Sequence, residues 1–138
     1  MAWYADLAEC DYFSTCHSSF LRAVGWLERG KSYTSGTVDL QVLNKLTELH
    51  RDAWEPCSFM GLHGCDLCLS EGEMGHTNLF VPGDGFLFVC PELILHYIKG
   101  HQYSPPVEFC EAVLACPPMN SGDYLKVVEP LWRRADTP

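Results

Sequence analysis

Apolar residues recur along the chain with two different periods, and the places where the period changes mark out the elements. In the first third, Ala23 to Leu27 within LRAVGWLERG reads as a strand, and Gly30-Lys31-Ser32 reads as the turn leading into a loop. A helical period takes over in VDLQVLNKLTELHRDAW, where Val42, Leu43, Leu46, Leu49 and Ala53 fall on one face. Thr37 is placed to cap this helix, Asp39 suits the positive end of its dipole, and Pro56 stops it soon after Trp54. A helix with one apolar face must cover something, most simply the sheet formed by the segment that follows.

Between Pro56 and Glu71 the chain, PCSFMGLHGCDLCLSE, is too rich in Gly and Cys for long regular elements. Two apolar runs follow, Asn78 to Pro82 and Phe86 to Cys90, and Gly83-Asp84-Gly85 between them supplies the positive φ angles of a tight β-hairpin. Pro91 and Glu92 open a helix, PELILHYIKGH, with Pro in the first turn where its missing N–H costs nothing and Gly100 placed to end it. A third helix, VEFCEAVLAC, is bracketed by Pro105-Pro106 and Pro117-Pro118. A fourth follows Ser121, runs from Asp123 to Trp132 with an interruption at Pro130, and leaves RRADTP as a frayed tail. No repeat, low-complexity run or linker divides the chain. The pattern therefore predicts one α+β domain over residues 1–138, in which a zinc-finger-like knuckle-hairpin-helix unit at about 57–103 packs against additional helices.

Composition changes this picture in two ways. With 138 residues and 47% hydrophobic content the chain can bury a core without depending on disulfides, so its eight cysteines need another explanation. Eighteen acidic residues against nine Lys and Arg give a formal charge of -9, which opposes nucleic acid and anionic membranes as partners. No stretch approaches the roughly 18 consecutive apolar residues of a membrane span. The start, MAWYADLAECDYF, lacks the basic and apolar regions of a secretory signal, so a cytoplasmic location is expected. In a reducing compartment cysteines point to metal ligation and buried thiols.

The chemistry concentrates in two pairs. Cys65-Asp66-Leu67-Cys68 is a C-x-x-C turn, and His96 with His101 forms an H-x4-H pair on the helix after the hairpin. Two thiolates and two imidazoles complete a tetrahedral shell for structural Zn2+, and the loop from Ser70 to Thr77 absorbs the excess chain between the pairs. Residues five apart on a regular helix point about 140° away from each other. A left-handed Gly100 would swing His101 back towards His96. His63 is the rival ligand, and His76 is expected to be exposed in a polar loop. Cys90, Cys110 and Cys116 read as small buried hydrophobes, and Cys57 as packing beside the knuckle. Cys10, Cys16 and His17 form a loose cluster without a fourth donor.

The segments YADL, CDYF, VGWLERG, SGTVDL, HGCDLC and NLFVPGDGFLFVCPELILHYIKGHQYSPPVEFCEAVLACPP resemble a group of small uncharacterised bacterial proteins. That resemblance implies a shared compact fold built round the cysteine pair and the helix histidines, and no activity, partner or catalytic residue.

These residues bear differently on the functions that a C-x-x-C and H-x4-H pair could serve. A DNA-reading finger is opposed by the field: between Cys57 and Cys110 the only Lys or Arg is Lys99, against Asp66, Glu71, Glu73, Asp84, Glu92 and Glu108. A thiol redox protein would place its C-x-x-C at a helix N-terminus, whereas SEGEMGHT follows Cys68 after Leu69. A zinc-dependent hydrolase needs an open coordination position and a nearby base, for which Glu92, one turn before His96, is the candidate on that helix. The expectation is a non-catalytic, zinc-stabilised acidic protein that binds a basic protein partner as an adaptor or immunity-like factor. Asp66, Glu71, Glu73 and Asp84 are expected to form its acidic face at the metal end of the hairpin.

Overall fold

Leu87, Phe88, Val89 and Cys90 form a run with no polar residue, and a strand of that kind requires cover on both faces and neighbours on both edges. The computed structural model, which describes residues 3–10, 20–54, 63–68, 74–75 and 77–136, supplies them. Its elements are β1 (Leu21–Ala23), α1 (Leu40–Arg51), β2 (His63–Gly64), β3 (Met74–Gly75), β4 (Asn78–Pro82), β5 (Leu87–Pro91), α2 (Ile94–His101), α3 (Val107–Ala115) and α4 (Gly122–Asp136). The architecture is α+β. β5 is the middle strand of a three-stranded sheet, paired antiparallel with β4 from Asn78↔Pro91 to Pro82↔Leu87 and parallel with β1 from Leu21↔Leu87 to Ala23↔Val89. The hairpin is therefore part of a larger sheet, with β5 in the middle and β4 at an edge, unlike the free two-stranded ribbon of a zinc finger.

The sheet's polarity positions the site. β1 and β5 run in the same direction, so the chain leaving Ala23 and the chain leaving Pro91 emerge at the same end, opposite the Gly83–Phe86 turn. At that end the Val24 amide and the Trp26 indole N–H both donate to the Val89 carbonyl, at 3.0 Å each, which carries the segment after β1 along β5. Trp26 is buried, and Leu21, Ala23, Leu79, Val81, Leu87, Val89 and Ile94 are inaccessible to solvent.

Several boundaries differ from the sequence reading for identifiable reasons. The first strand covers Leu21–Ala23 and not Ala23 to Leu27, because Gly25 takes a φ of +77 and breaks the extended run. A side chain at Gly25 would also meet Ile94 at 3.1 Å. The N-cap of α1 is Asp39, whose carboxylate accepts from the Gln41 amide at 2.8 Å, and not Thr37. The buried face of α1, Val42, Leu46 and Leu49, packs chiefly against α3, which itself lies against β4, so α3 stands where the sheet was expected. Pro91 closes β5 instead of opening α2, which begins at Ile94. α4 continues through Pro130 to Asp136, so the backbone of residues 133–136 is helical where a frayed tail was expected. Its Tyr124 donates to the Phe80 carbonyl at 2.6 Å and its Trp132 ring packs edge-on against Phe80, which fastens the helix to β4. No helix among the described residues is long and apolar enough to cross a membrane.

Candidate metal centre

The knuckle leaves β2 directly. β2 pairs antiparallel with β3 through His63↔Gly75 and Gly64↔Met74, and the next four residues are Cys65 to Cys68, with a turn at Asp66-Leu67. Arg29, in the segment that follows β1, holds this turn at three points. Its backbone amide donates to an Asp66 carboxylate oxygen at 2.8 Å, its Nε donates to the Asp66 carbonyl at 3.0 Å, and one terminal guanidinium nitrogen donates to the Cys68 carbonyl at 3.0 Å. A short polar loop with no core of its own is thereby given a fixed shape beside the sheet.

The other half of the centre is carried by α2. Ile94 and Tyr97 bury the inner face of this helix, which leaves His96 half-buried at its margin. Gly100 is not left-handed; it lies within the helix, and the left-handed residue is Gln102, with φ 55 and ψ 29 and its N–H bonded to the Tyr97 carbonyl. Gly100 acts instead through the side chain it lacks. A Cβ there would come within 3.3 Å of His96 Cε1, so the bare glycine lets the His96 ring lie over the helix towards His101. The helix end is fixed by the neighbouring 33–36 segment. Tyr33 donates its hydroxyl to the His101 carbonyl at 2.9 Å, Gly36 N–H bonds the Gln102 carbonyl at 2.9 Å, and Ser104 N–H bonds the Thr34 carbonyl at 2.8 Å.

These supports bring all four sequence-predicted residues together: one donor atom from each of Cys65, Cys68, His96 and His101 lies within 4.8 Å of the others. The separations are 3.4 Å from Cys65 Sγ to His101 Nε2, 3.2 Å from Cys68 Sγ to His96 Nε2, 3.5 Å from Cys68 Sγ to His101 Nε2, and 3.2 Å between the two Nε2 atoms. Metal bonds of about 2.0–2.3 Å in a tetrahedron imply edges of about 3.3 Å between nitrogens and about 3.6 Å between nitrogen and sulfur. These four separations lie close to those edges, and the cluster could hold a metal ion. Burial pushes the Cys65 thiol up, and burial together with the neighbouring His96 pushes the His101 imidazole down. Both shifts favour neutral donors, so a cation placed among them would meet lone pairs and displace the thiol protons.

A solvent-facing depression of about 400 Å3, lined by Leu27, Glu28, Gly64, Cys65 and Asp66, opens beside the knuckle. Glu92, the candidate base, has its carboxylate held by His50 Nε2 at 2.9 Å and by the Thr77 amide at 3.4 Å, neither of them a member of the cluster. Asp84 sits in the Gly83–Phe86 turn, at the far end of the sheet from the outlet that leads to α2, because the antiparallel register puts Pro82↔Leu87 and Asn78↔Pro91 at opposite ends of the hairpin. It is therefore separated along the strands from the acids of the knuckle. Glu71, Glu73, His76, Cys57, Cys16 and His17 lie outside the described residues, and of His63 the backbone alone is placed, in β2. Cys10, Cys90 and Cys116 are buried and Cys110 is half-buried. Burial raises the Cys116 thiol to about 11 and the Cys90 thiol still further.

Residues 2–114 match a family model described as a domain of unknown function, DUF7919. The chain belongs to the DUF7919 family. The DUF7919 match takes in both halves of the donor cluster together with Arg29, and α4 lies beyond it. No curated protein and no solved structure matches the chain.

Proposed function

We propose that Cys65, Cys68, His96 and His101 bind one zinc ion, that the ion is structural, and that the protein acts as a non-catalytic binding module for a basic protein partner. The observation that supports the metal reading is the convergence of four donor atoms within 4.8 Å of one another, with the N–N and three N–S separations close to tetrahedral edge lengths. A paired thiolate and imidazole set suits zinc, and four protein donors leave no coordination position for a substrate. The ion would tie the knuckle to the last turn of α2, joining two segments that the sheet alone does not hold together. The hydrogen bonds of Glu92 to His50 and Thr77 engage the acid that precedes α2 and argue against its role as a base. A basic partner is supported by the net charge of -9 and by Glu28 and Asp66, which border the depression beside Cys65.

Elemental analysis of full-length protein purified without added metal tests the reading. One zinc per chain is expected, falling well below stoichiometric in Cys65→Ser and in His96→Ala. Full zinc occupancy in Cys65→Ser would overturn the ligand assignment. Association with a captured partner is expected to weaken steeply with salt and in Glu28→Lys at unchanged zinc content. Zinc-dependent turnover of a small substrate would overturn the non-catalytic reading.

A further inference from the structure

A second cavity, of about 260 Å3, lies between the Trp3–Asp6 segment and the 32–34 loop, with Trp3, Tyr4, Asp6, Leu27 and Tyr33 among its walls. None of the four metal donors lines it. Its rings are held in place from behind. Tyr4 packs edge-on against buried Trp26, with centroids 5.5 Å apart, and Tyr33 packs edge-on against buried Tyr103 at 6.1 Å. Trp3 already carries a cation over one face, Lys31 Nζ at 4.8 Å from its centroid, although Lys31 is not among the cavity walls. The remaining wall is an acid. The Asp6 carboxylate accepts the Tyr103 hydroxyl at 2.9 Å on each oxygen and the Gly25 amide at 3.1 Å on Oδ1. Both donors are neutral, and among the described residues no Lys, Arg or His forms an ion pair with Asp6.

We propose that this cavity binds an alkylated ammonium group, a quaternary or methylated amine whose charge is attracted by the rings of Trp3, Tyr4 and Tyr33 and balanced by Asp6. Three features select that chemistry. Three aromatic side chains in the walls can offer the negative potential of their π-faces to a cation, and the carboxylate opposes any anion. A neutral apolar guest would leave the desolvated carboxylate without a counter-charge. An unmodified ammonium brings three N–H donors that each need an acceptor, whereas the Asp6 oxygens are already partly occupied; an alkylated ammonium needs none and is weakly hydrated. The cavity is below the volume of pockets for drug-sized ligands, which suits a compact head group. Burial also raises the Asp6 acid despite the lowering by the Gly25 and Tyr103 hydrogen bonds, as expected of a carboxylate short of positive charge. None of its walls is a metal donor, so the proposal does not rest on the metal reading, although the Tyr33 hydroxyl bond to the His101 carbonyl joins the two regions.

The group can arrive as a free quaternary amine or as a methylated lysine on a protein, and one titration series separates the two. Isothermal titration of the full-length protein with choline is expected to show saturable 1:1 binding, with the neutral isostere 3,3-dimethylbutan-1-ol at least about tenfold weaker. Asp6→Asn, and separately Trp3→Ala, each weaken choline about tenfold while zinc content and the circular dichroism spectrum stay those of the parent. A trimethyllysine peptide that binds at least tenfold more tightly than free trimethyllysine assigns the group to a protein, and equal binding assigns it to a free amine. Absence of saturable choline binding, equal binding of the isostere, or choline affinity unchanged in both variants overturns the proposal. Loss of zinc in Cys65→Ser with choline binding intact would show the two sites to be separate.

Discussion

At Arg29 one residue holds the knuckle through its backbone amide, its Nε and a terminal guanidinium nitrogen, and the last two reach backbone carbonyls of the C-x-x-C turn itself. Supporting hydrogen bonds of this kind orient metal ligands, and their loss typically costs about 10–100-fold in metal affinity. Arg29→Ala is expected to weaken zinc by that order in a competitive chelator titration, with Arg29→Lys recovering only part because an ammonium has no planar fork. Equal affinity in Arg29→Ala would show that the turn is formed without it. Asp6 presents the opposite case, a residue whose ionisation works against the fold. Its acid is raised by burial, so the native chain holds that proton more firmly than the unfolded chain, whose acid titrates near 3.8. The contribution of Asp6 to stability is therefore greatest below that value and falls as pH rises through the higher native one. Asp6→Asn should leave stability equal or increased at neutral pH, with the difference from the parent vanishing in strong acid. Urea melts at the two pH values check this, and a clearly destabilised variant at neutral pH would show that the ionised form is favoured.

Among the elements, α2 combines two demands that favour different residues at one position. As part of a helix, Gly100 is about 1 kcal/mol worse than Ala. As the surface beneath His96, it is favoured for having no Cβ, since one there would lie 3.3 Å from the imidazole and the ring would have to shift by a few tenths of an ångström. Gly100→Ala is expected to separate the two effects: a higher melting temperature in metal-free protein and weaker zinc binding, read by thermal denaturation with and without chelator. Unchanged zinc affinity would mean that the His96 ring shifts without cost. The two ends of α2 are also secured differently. Glu92, just before it, is joined to His50 near the end of α1, whereas its last turn depends on Tyr33, Gly36 and the donor cluster. Loss of the ion should therefore loosen the His101 end and spare the Ile94 end.

For the whole molecule, the sheet and helices bury an extensive apolar core that includes Trp26, Phe88, Phe109 and Tyr124, and the metal site lies at one edge of it. A metal that completes a core-less loop governs local order more than global stability. After chelation, hydrogen exchange is expected to rise first at residues 63–68 and at the last turn of α2, with β1, β4 and β5 still protected. Uniform loss of protection would instead make the ion a condition of folding. The same edge carries the depression bordered by Glu28 and Asp66, and Leu27 also lines the cavity of Asp6, so two acid-walled concavities adjoin along one segment. With a net charge of -9 behind them, both favour the approach of cations, and both effects weaken with salt.

What the sequence determined by itself is whatever is encoded within a few residues. The 3.6-residue period of α1, the prolines on either side of α3 and the glycines between β4 and β5 announce those elements, because periodicity and turn chemistry act locally. The four clustered donors were legible for the same reason, since C-x-x-C and H-x4-H spacings are local constraints on what one ion can reach. Tertiary structure decided the rest. Nothing near LERG in the chain indicates that Arg29 will meet Asp66 and Cys68, 37 and 39 residues away, nor does YADL indicate that Asp6 will meet Tyr103 across 97 residues. The end of β1 at Gly25, the packing of α1 on α3 and the passing of the left-handed turn from Gly100 to Gln102 follow from such contacts. Each is a choice between conformations of similar local energy, made by a partner distant in sequence, and so it appears only once the chain has folded.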